Sequence, residues 1–215
     1  MAWSYYLETM LMKLLLRLLI RWEVRGKENI PVKGPLIVVA NHLHIADPAL
    51  LAASIPRRIV FMAKEEVFHR TVQGPLVRGF KAFPVRRGGL DREALRQAQQ
   101  VLEKGLALGM FPEGTRSITA QMQQGLAGAS LIAMRSDAPI LPVGITGSEN
   151  IKGFGFVFRR LKLTVNIGEP FNLPRIEGKL KKAELASATD FIMGRIAELL
   201  PETYQGVYGD RSFRD

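Results

Sequence analysis

The run Leu36-Ile37-Val38-Val39-Ala40 constrains the fold more than any other segment. It follows a Gly34-Pro35 turn, stays apolar at every position and stops at Asn41. A short apolar run bounded by turn signals suits a strand covered on both faces, as in parallel sheets. Asp47-Pro48 then opens an Ala- and Leu-rich helix with proline in the favoured first position. Ile59–Ala63, Ala82–Val85, Ala107–Phe111 and Ile140–Ile145 repeat the strand pattern. Asp91–Ala107, Gly128–Arg135 and Lys181–Leu199 read as helices, and Phe154–Phe158 with Leu161–Ile167 as paired strands. Strands separated by helices predict a single α/β domain with a central mostly parallel or mixed sheet flanked by helices. The 215 residues suit one domain, and no repeat, low-complexity tract or linker divides them.

Met1 to Trp22 has a different character. Apolar residues fill it, while Lys13, Arg17 and Arg21 recur every four residues and form one stripe on a helix. Lys13 and Arg17 would sit in hydrocarbon if this helix crossed a bilayer, and the apolar runs between charges are too short. A secretory signal would not carry an interrupting Arg without a small-residue cleavage site behind it. The segment reads as an in-plane interfacial helix anchored by Trp3, Tyr5 and Tyr6. Residues 1–24 are therefore expected to form an amphipathic membrane-associating helical segment, and 25–215 the α/β domain. A helix packed on the core with its basic stripe exposed is the plainer alternative. No other stretch is apolar enough to span a membrane.

Charge narrows the partners. Lys and Arg number 30 against 20 Asp and Glu, a formal charge of +10 with a pI near 10.1. Such a balance asks for nucleic acid, a membrane surface or a phosphorylated substrate. With 47% hydrophobic residues the chain can offset its ordering entropy and is not disordered. The absence of cysteine excludes disulfides, Cys-ligated zinc, iron–sulfur clusters and a thiol nucleophile.

Asn41-His42-Leu43-His44-Ile45-Ala46-Asp47 lies where the first strand ends and a helix begins, the place where open α/β sheets bind ligands. Across that turn the Asp47 carboxylate can hold one nitrogen of His42, leaving the other to accept a proton from a substrate hydroxyl. Asp47 can equally serve as a helix N-cap, with His42 filling the turn. A metal held by His42, His44 and Asp47 is a further possibility. Phe111-Pro112-Glu113-Gly114-Thr115-Arg116-Ser117 ends another apolar run. Gly114 there lets backbone N–H groups approach an oxyanion, and Arg116 offers a forked donor for phosphate. Phe83-Pro84-Val85-Arg86-Arg87 places more guanidinium groups after a short strand, and Ala138–Gly144 is apolar.

Together these blocks resemble the glycerophospholipid acyltransferase family, in particular the 1-acylglycerol-3-phosphate acyltransferases. Its pattern is NHxxxxD (the HX4D motif), a block ending in Arg, FPEGTRS, and an apolar block with a central proline; all occur in that order across residues 41 to 144. Gly26–Pro31 and Leu200–Tyr208 also resemble the family's lead-in and a bacterial ending. The resemblance implies transfer of a fatty acyl group from an acyl thioester, acyl-CoA or acyl carrier protein, to the sn-2 hydroxyl of 1-acylglycerol-3-phosphate (lysophosphatidate). The product would be phosphatidic acid, in phospholipid biosynthesis. It further implies His42 as general base and Asp47 as its orienting partner, without a nucleophilic serine. Arg86, Arg116 and Lys64 would bind the acceptor phosphate. Glu113, Gly114 and Thr115 would position the glycerol end, and Pro142 would line the acyl or acceptor pocket. Residues 25–215 become the acyltransferase domain, peripheral (monotopic) on the cytoplasmic face of a phospholipid membrane. No cofactor, metal or nucleic acid is expected.

The chain departs from the family pattern twice. His44 stands where the family often has Ser, and Gln123, Gln124 and Leu126 occupy a stretch that commonly carries Lys. Both departures bear on acceptor choice and leave the presumed base intact. Two other function classes compete. Lys152–Arg159 nearly reproduces the aromatic strand of an RNA-recognition motif, but Ile140–Ile145 upstream is too close and lacks its aromatic. The basic excess over residues 152 to 182 would suit a non-catalytic binder of anionic lipid. A serine hydrolase is excluded by the lack of a GxSxG elbow.

Overall fold

The computed structural model describes residues 9–11, 13–14, 18–71, 73–86, 91–153, 160–176, 178 and 181–209. Among them the strands are β1 (Arg21–Arg25), β2 (Leu36–Ala40), β3 (Ile59–Lys64), β4 (Phe83–Val85), β5 (Ala107–Met110), β6 (Ile140–Thr146) and β7 (Lys162–Ile167). They form one sheet in the order β1-β7-β6-β2-β5-β3-β4. β6, β2, β5, β3 and β4 run parallel; β7 turns against β6 and pairs in parallel with β1. The fold is therefore a single α/β domain with a mixed sheet.

β2 sits inside the sheet with every residue wholly buried. Successive strand side chains point to opposite faces, and β2 divides accordingly. Leu36, Val38 and Ala40 join one core with Phe61, Phe80 and the helix Asp47–Ser54, here α1. Ile37 and Val39 join a second core on the other face. That second core is covered by the helices Arg92–Glu103 (α3), Gly128–Met134 (α4) and Lys182–Ala197 (α5). α2 (Gln73–Gly79) follows a 3-10 turn at Glu65–His69. A short helix, α6 (Glu202–Gln205), lies near the C-terminus.

The structure revises several boundaries. Of the helical segment expected over 1–24, residues 9–11, 13–14 and 18–19 are helical, Ile20 is a bend, and Arg21 to Val24 belong to β1; residues 1–8, 12 and 15–17 lie outside the described residues. The helix expected over Asp91–Ala107 ends at Glu103. Asp91 caps it by accepting from the Ala94 N–H at 3.0 Å, and Ala107 already belongs to β5. The strand expected over Leu161–Ile167 forms as β7, which pairs with β1 over residues 162–166 and with β6 over 164–167. Residues 154–159, with the RNA-recognition-like string, lie outside the described residues. No helix among the described residues is long and apolar enough to cross a membrane.

Candidate active site

Because β2, β5, β3 and β4 are parallel, the segments following them emerge on one edge of the sheet. The His42–Asp47 turn follows β2, the Phe111–Ser117 turn follows β5, Lys64 ends β3 and Arg86 follows β4. These segments border a cleft of about 840 Å³, whose lining includes His42, Lys64, Arg70, Arg86, Gly114, Thr115 and Arg116. Phe61, Val77, Phe80, Leu131 and Ile132 give it an apolar wall. An apolar cavity with a few convergent polar groups is the usual form of a small-molecule site.

At the cleft, His42 Nδ1 lies 2.8 Å from Asp47 Oδ2. The same carboxylate oxygen accepts the backbone N–H groups of Leu43 and His44, each at 2.7 Å. Asp47 is wholly buried, and Oδ1 has no hydrogen-bond partner among the described residues. It stands in the first turn of α1 and makes no side-chain cap, the cap position being Ala46. Its bonds go to the histidine turn instead, so Asp47 is spent on His42 and its loop. A metal held by both histidines and Asp47 does not match this arrangement, because Nδ1 of His42 faces Asp47 and Nδ1 of His44 accepts from the Ala46 N–H at 3.3 Å. Burial holds the His44 imidazole below its ordinary pKa; Asp47 opposes that, and Arg116 and His42 add to it.

Other contacts that the sequence did not announce fix the turn. Where β2 stops, the Asn41 side chain continues its pairing with β6, donating to Ile145 O at 2.9 Å and accepting from Ile145 N–H at 2.7 Å. Phe111 stacks on the His42 ring, with centroids 4.1 Å apart and planes 20° apart. Ser117 N–H donates to His42 O at 2.8 Å, which joins the two motifs directly. The one available signal was the adjacency of these residues to strand ends; their directions depend on how β2, β5 and β6 align.

Glu113 departs from its expected place beside an acceptor. It is 4% exposed, does not border the cleft, and gives its oxygens to the His42 and Gln123 N–H groups, each at 2.9 Å. Burial pushes its carboxyl up to about 7, although both N–H donors and their positive ends pull it down. Gly114 has φ 65° as the turn requires, but its N–H is used within the turn, donating to Phe111 O at 2.8 Å. Pro142 also lies away from the cleft: it is buried within β6 opposite Val39, and its carbonyl accepts from Gly168 N–H at 2.9 Å.

The cations occupy the cleft border. Lys64 and Arg116 line it, as does Arg70, which belongs to none of the sequence motifs. Arg86 also lines it, but its guanidinium forks onto Glu65 at 2.9 and 3.4 Å. That contact raises the Arg86 pKa and lowers that of Glu65. Chemically, the assembly offers an imidazole fixed at one nitrogen, cations for an anionic group, and an apolar wall for a hydrocarbon chain.

Known proteins resemble this chain in sequence and in fold. The sequence profile of the acyltransferase family covers residues 21–146, which include both motifs. A 1-acyl-sn-glycerol-3-phosphate acyltransferase of Bacillus subtilis (strain 168) is 30% identical over 178 residues, 82% of this chain and 87% of that protein. One from Streptococcus pneumoniae (strain ATCC BAA-255 / R6) is 30% identical over 196 residues, 87% of this chain and 71% of that one. The crystal structure of the 1-acyl-sn-glycerophosphate (LPA) acyltransferase PlsC from Thermotoga maritima superposes with a TM-score of 0.68 at 27% identity. The match spans 91% of this chain and 78% of that one.

Proposed function

The chain belongs to the acyltransferase family, and on that footing we propose that it transfers a fatty acyl group from a thioester to the sn-2 hydroxyl of 1-acylglycerol-3-phosphate, giving phosphatidic acid. The observation that carries this reading is the 2.8 Å contact of His42 Nδ1 with Asp47 beside a cleft with both cationic and apolar walls. His42 Nε2 takes the proton of the acceptor hydroxyl as its oxygen attacks the thioester carbonyl. The tetrahedral intermediate collapses, the carbon–sulfur bond breaks, and the imidazolium returns the proton to the departing thiolate. Asp47 keeps the imidazole in the required tautomer and stabilises its charged form. With no cysteine and no serine elbow in the chain, the acyl group passes directly from donor to acceptor.

Arg116, Lys64 and Arg86 bind the acceptor phosphate in this reading, Arg86 after exchanging Glu65 for it. The donor is acyl-CoA or acyl carrier protein. A peripheral position on the cytoplasmic face of the membrane belongs to the same reading. Its membrane contact is supported by the described N-terminal residues: Met10, Leu11, Leu14 and Leu18 are 65%, 55%, 52% and 68% exposed while Lys13 is half-buried, so these residues present an apolar face. Such a face suits the headgroup–acyl boundary.

The test is product analysis with purified protein in detergent, both donor types, and a panel of phosphorylated and unphosphorylated acceptors. Phosphatidic acid formed from lysophosphatidate is the expected result. Transfer to unphosphorylated acceptors alone would contradict it.

A further inference from the structure

The carboxylate of Glu113 joins two segments that are far apart in sequence. One oxygen accepts the His42 N–H and the other the Gln123 N–H, each at 2.9 Å. The segment containing Gln123 is in turn held by the C-terminal turn. Met122 N–H donates to Tyr204 O at 2.8 Å, Val207 N–H to Met122 O at 3.4 Å, and Gly125 N–H to the Tyr208 hydroxyl at 3.1 Å. Gly206 has φ 54°, and a Cβ there would collide with the Met122 carbonyl, so the two segments meet backbone to backbone. Tyr208 is 2% exposed, and its hydroxyl also lies 3.5 Å from Asp190 Oδ1.

We propose that Glu113 is a positioning residue of the transfer reaction, which braces the backbone of His42 against the 122–125 segment and, through it, against the Tyr204–Tyr208 turn. This rests on His42 acting as the base in acyl transfer. The imidazole has three constraints: Asp47 at Nδ1, Phe111 against the ring face, and Glu113 at the main-chain N–H. The first two orient the ring, and the third fixes where the ring is attached. A misplacement of about 1 Å costs roughly 10²-fold in rate, so a brace on the backbone acts on turnover rather than on substrate affinity.

Two donors on two oxygens need an ionised carboxylate. A proton on Glu113 turns one acceptor into a donor facing an N–H, and opens one side of the brace. Its burial, with the negative Asp47 nearby, places that protonation close to neutral pH. His42, His44 and Asp47 are the titratable groups on the catalytic turn, with the Arg116 guanidinium acting on His44, and Tyr204 and Tyr208 are those of the turn behind Met122–Gly125. Turnover therefore carries a titration of Glu113, falling as that carboxyl takes up its proton.

The experiment compares the wild-type chain, Glu113→Gln and Tyr208→Phe, reading kcat and both KM values between about pH 5 and 9, with thermal unfolding of each. Gln keeps one acceptor and turns an NH2 group toward the other N–H. The expected result is a kcat about 10- to 100-fold lower in E113Q, with both KM values within about twofold. The step in kcat near pH 7 that belongs to Glu113 should be present in the wild type and absent from E113Q. Y208F keeps its ring and loses the hydroxyl, with both the acceptor for Gly125 and the contact to Asp190. It should lower kcat by a few-fold at unchanged KM, and it decides the matter should E113Q not fold. A raised acceptor KM at constant kcat in either variant, or the same step near pH 7 in E113Q, would overturn the proposal. An inactive wild-type chain would instead contradict the acyl-transfer reading, and this inference with it.

Discussion

Oδ2 of Asp47 accepts from His42 Nδ1 at 2.8 Å and, at the same time, from the two N–H groups that follow His42 in the chain. One oxygen thus sets both the imidazole and the loop that carries it, while Oδ1 stands unpartnered in the core. The arrangement separates the structural use of Asp47 from its chemical use, because an amide can keep the bonds but not the charge.

Asp47→Asn should therefore fold and fail to turn over. Its carbonyl can take the Oδ2 position with the same three donors, and its NH2 the place of the unpartnered Oδ1. What is lost is the negative charge beside the imidazolium. We expect kcat to fall by about 10²–10⁴ with a melting temperature close to wild type. A wild-type kcat in D47N would remove Asp47 from the mechanism.

The cleft cations predict a split between two substitutions. Arg116 borders the cleft with no ion-pair partner among the described residues, so Arg116→Ala should raise the KM of a phosphorylated acceptor by about tenfold or more. Glu65→Gln frees the Arg86 guanidinium from its carboxylate and should lower that KM by about twofold, a modest effect because the pair is solvent-exposed. Steady-state kinetics with phosphorylated and unphosphorylated acceptors tests both. An equal response to the two acceptor types would show that these residues do not read the phosphate.

Glu113 gives stability a pH dependence of unusual sign for a carboxyl group. Its native value near 7 exceeds the ordinary 4.5, so between those values the native state holds a proton that the unfolded chain releases. The contribution is complete below about pH 4.5 and is lost as pH rises through about 7. Its full size is on the order of 3 kcal/mol. Denaturant unfolding of wild type and E113Q should show the wild-type advantage shrinking from pH 5 to pH 8. A difference that is flat across that window would contradict the burial argument.

The elements legible in the sequence are those whose residues carry their own signal. Leu36–Ala40 reads as a buried strand because all its positions are apolar, and Asp47-Pro48 marks a helix start by proline geometry. Arg21-Trp22 continues the basic and apolar pattern upstream and so predicts helix; pairing with β7 makes these residues the start of β1. α2 escaped notice because Gly74 and Pro75 break its pattern from within. In the site, residue types and spacing point to His42 and Asp47, whose contact is local in sequence. The direction of Glu113 is not local: it depends on the 111–114 turn and on a segment anchored by the C-terminus. Pro142 falls in the same class, since its distance from the cleft follows from the place of β6 in the strand order.

The most direct test of the account is acyl transfer by His42→Ala with lysophosphatidate and whichever thioester the wild type accepts. His42 supplies the proton-accepting nitrogen, and its backbone contacts to Glu113 and Ser117 survive the substitution. The account predicts a folded protein whose phosphatidic acid formation is about 10²–10⁴ slower than wild type. Transfer at the wild-type rate, or a covalent acyl-protein trapped during turnover, would contradict it.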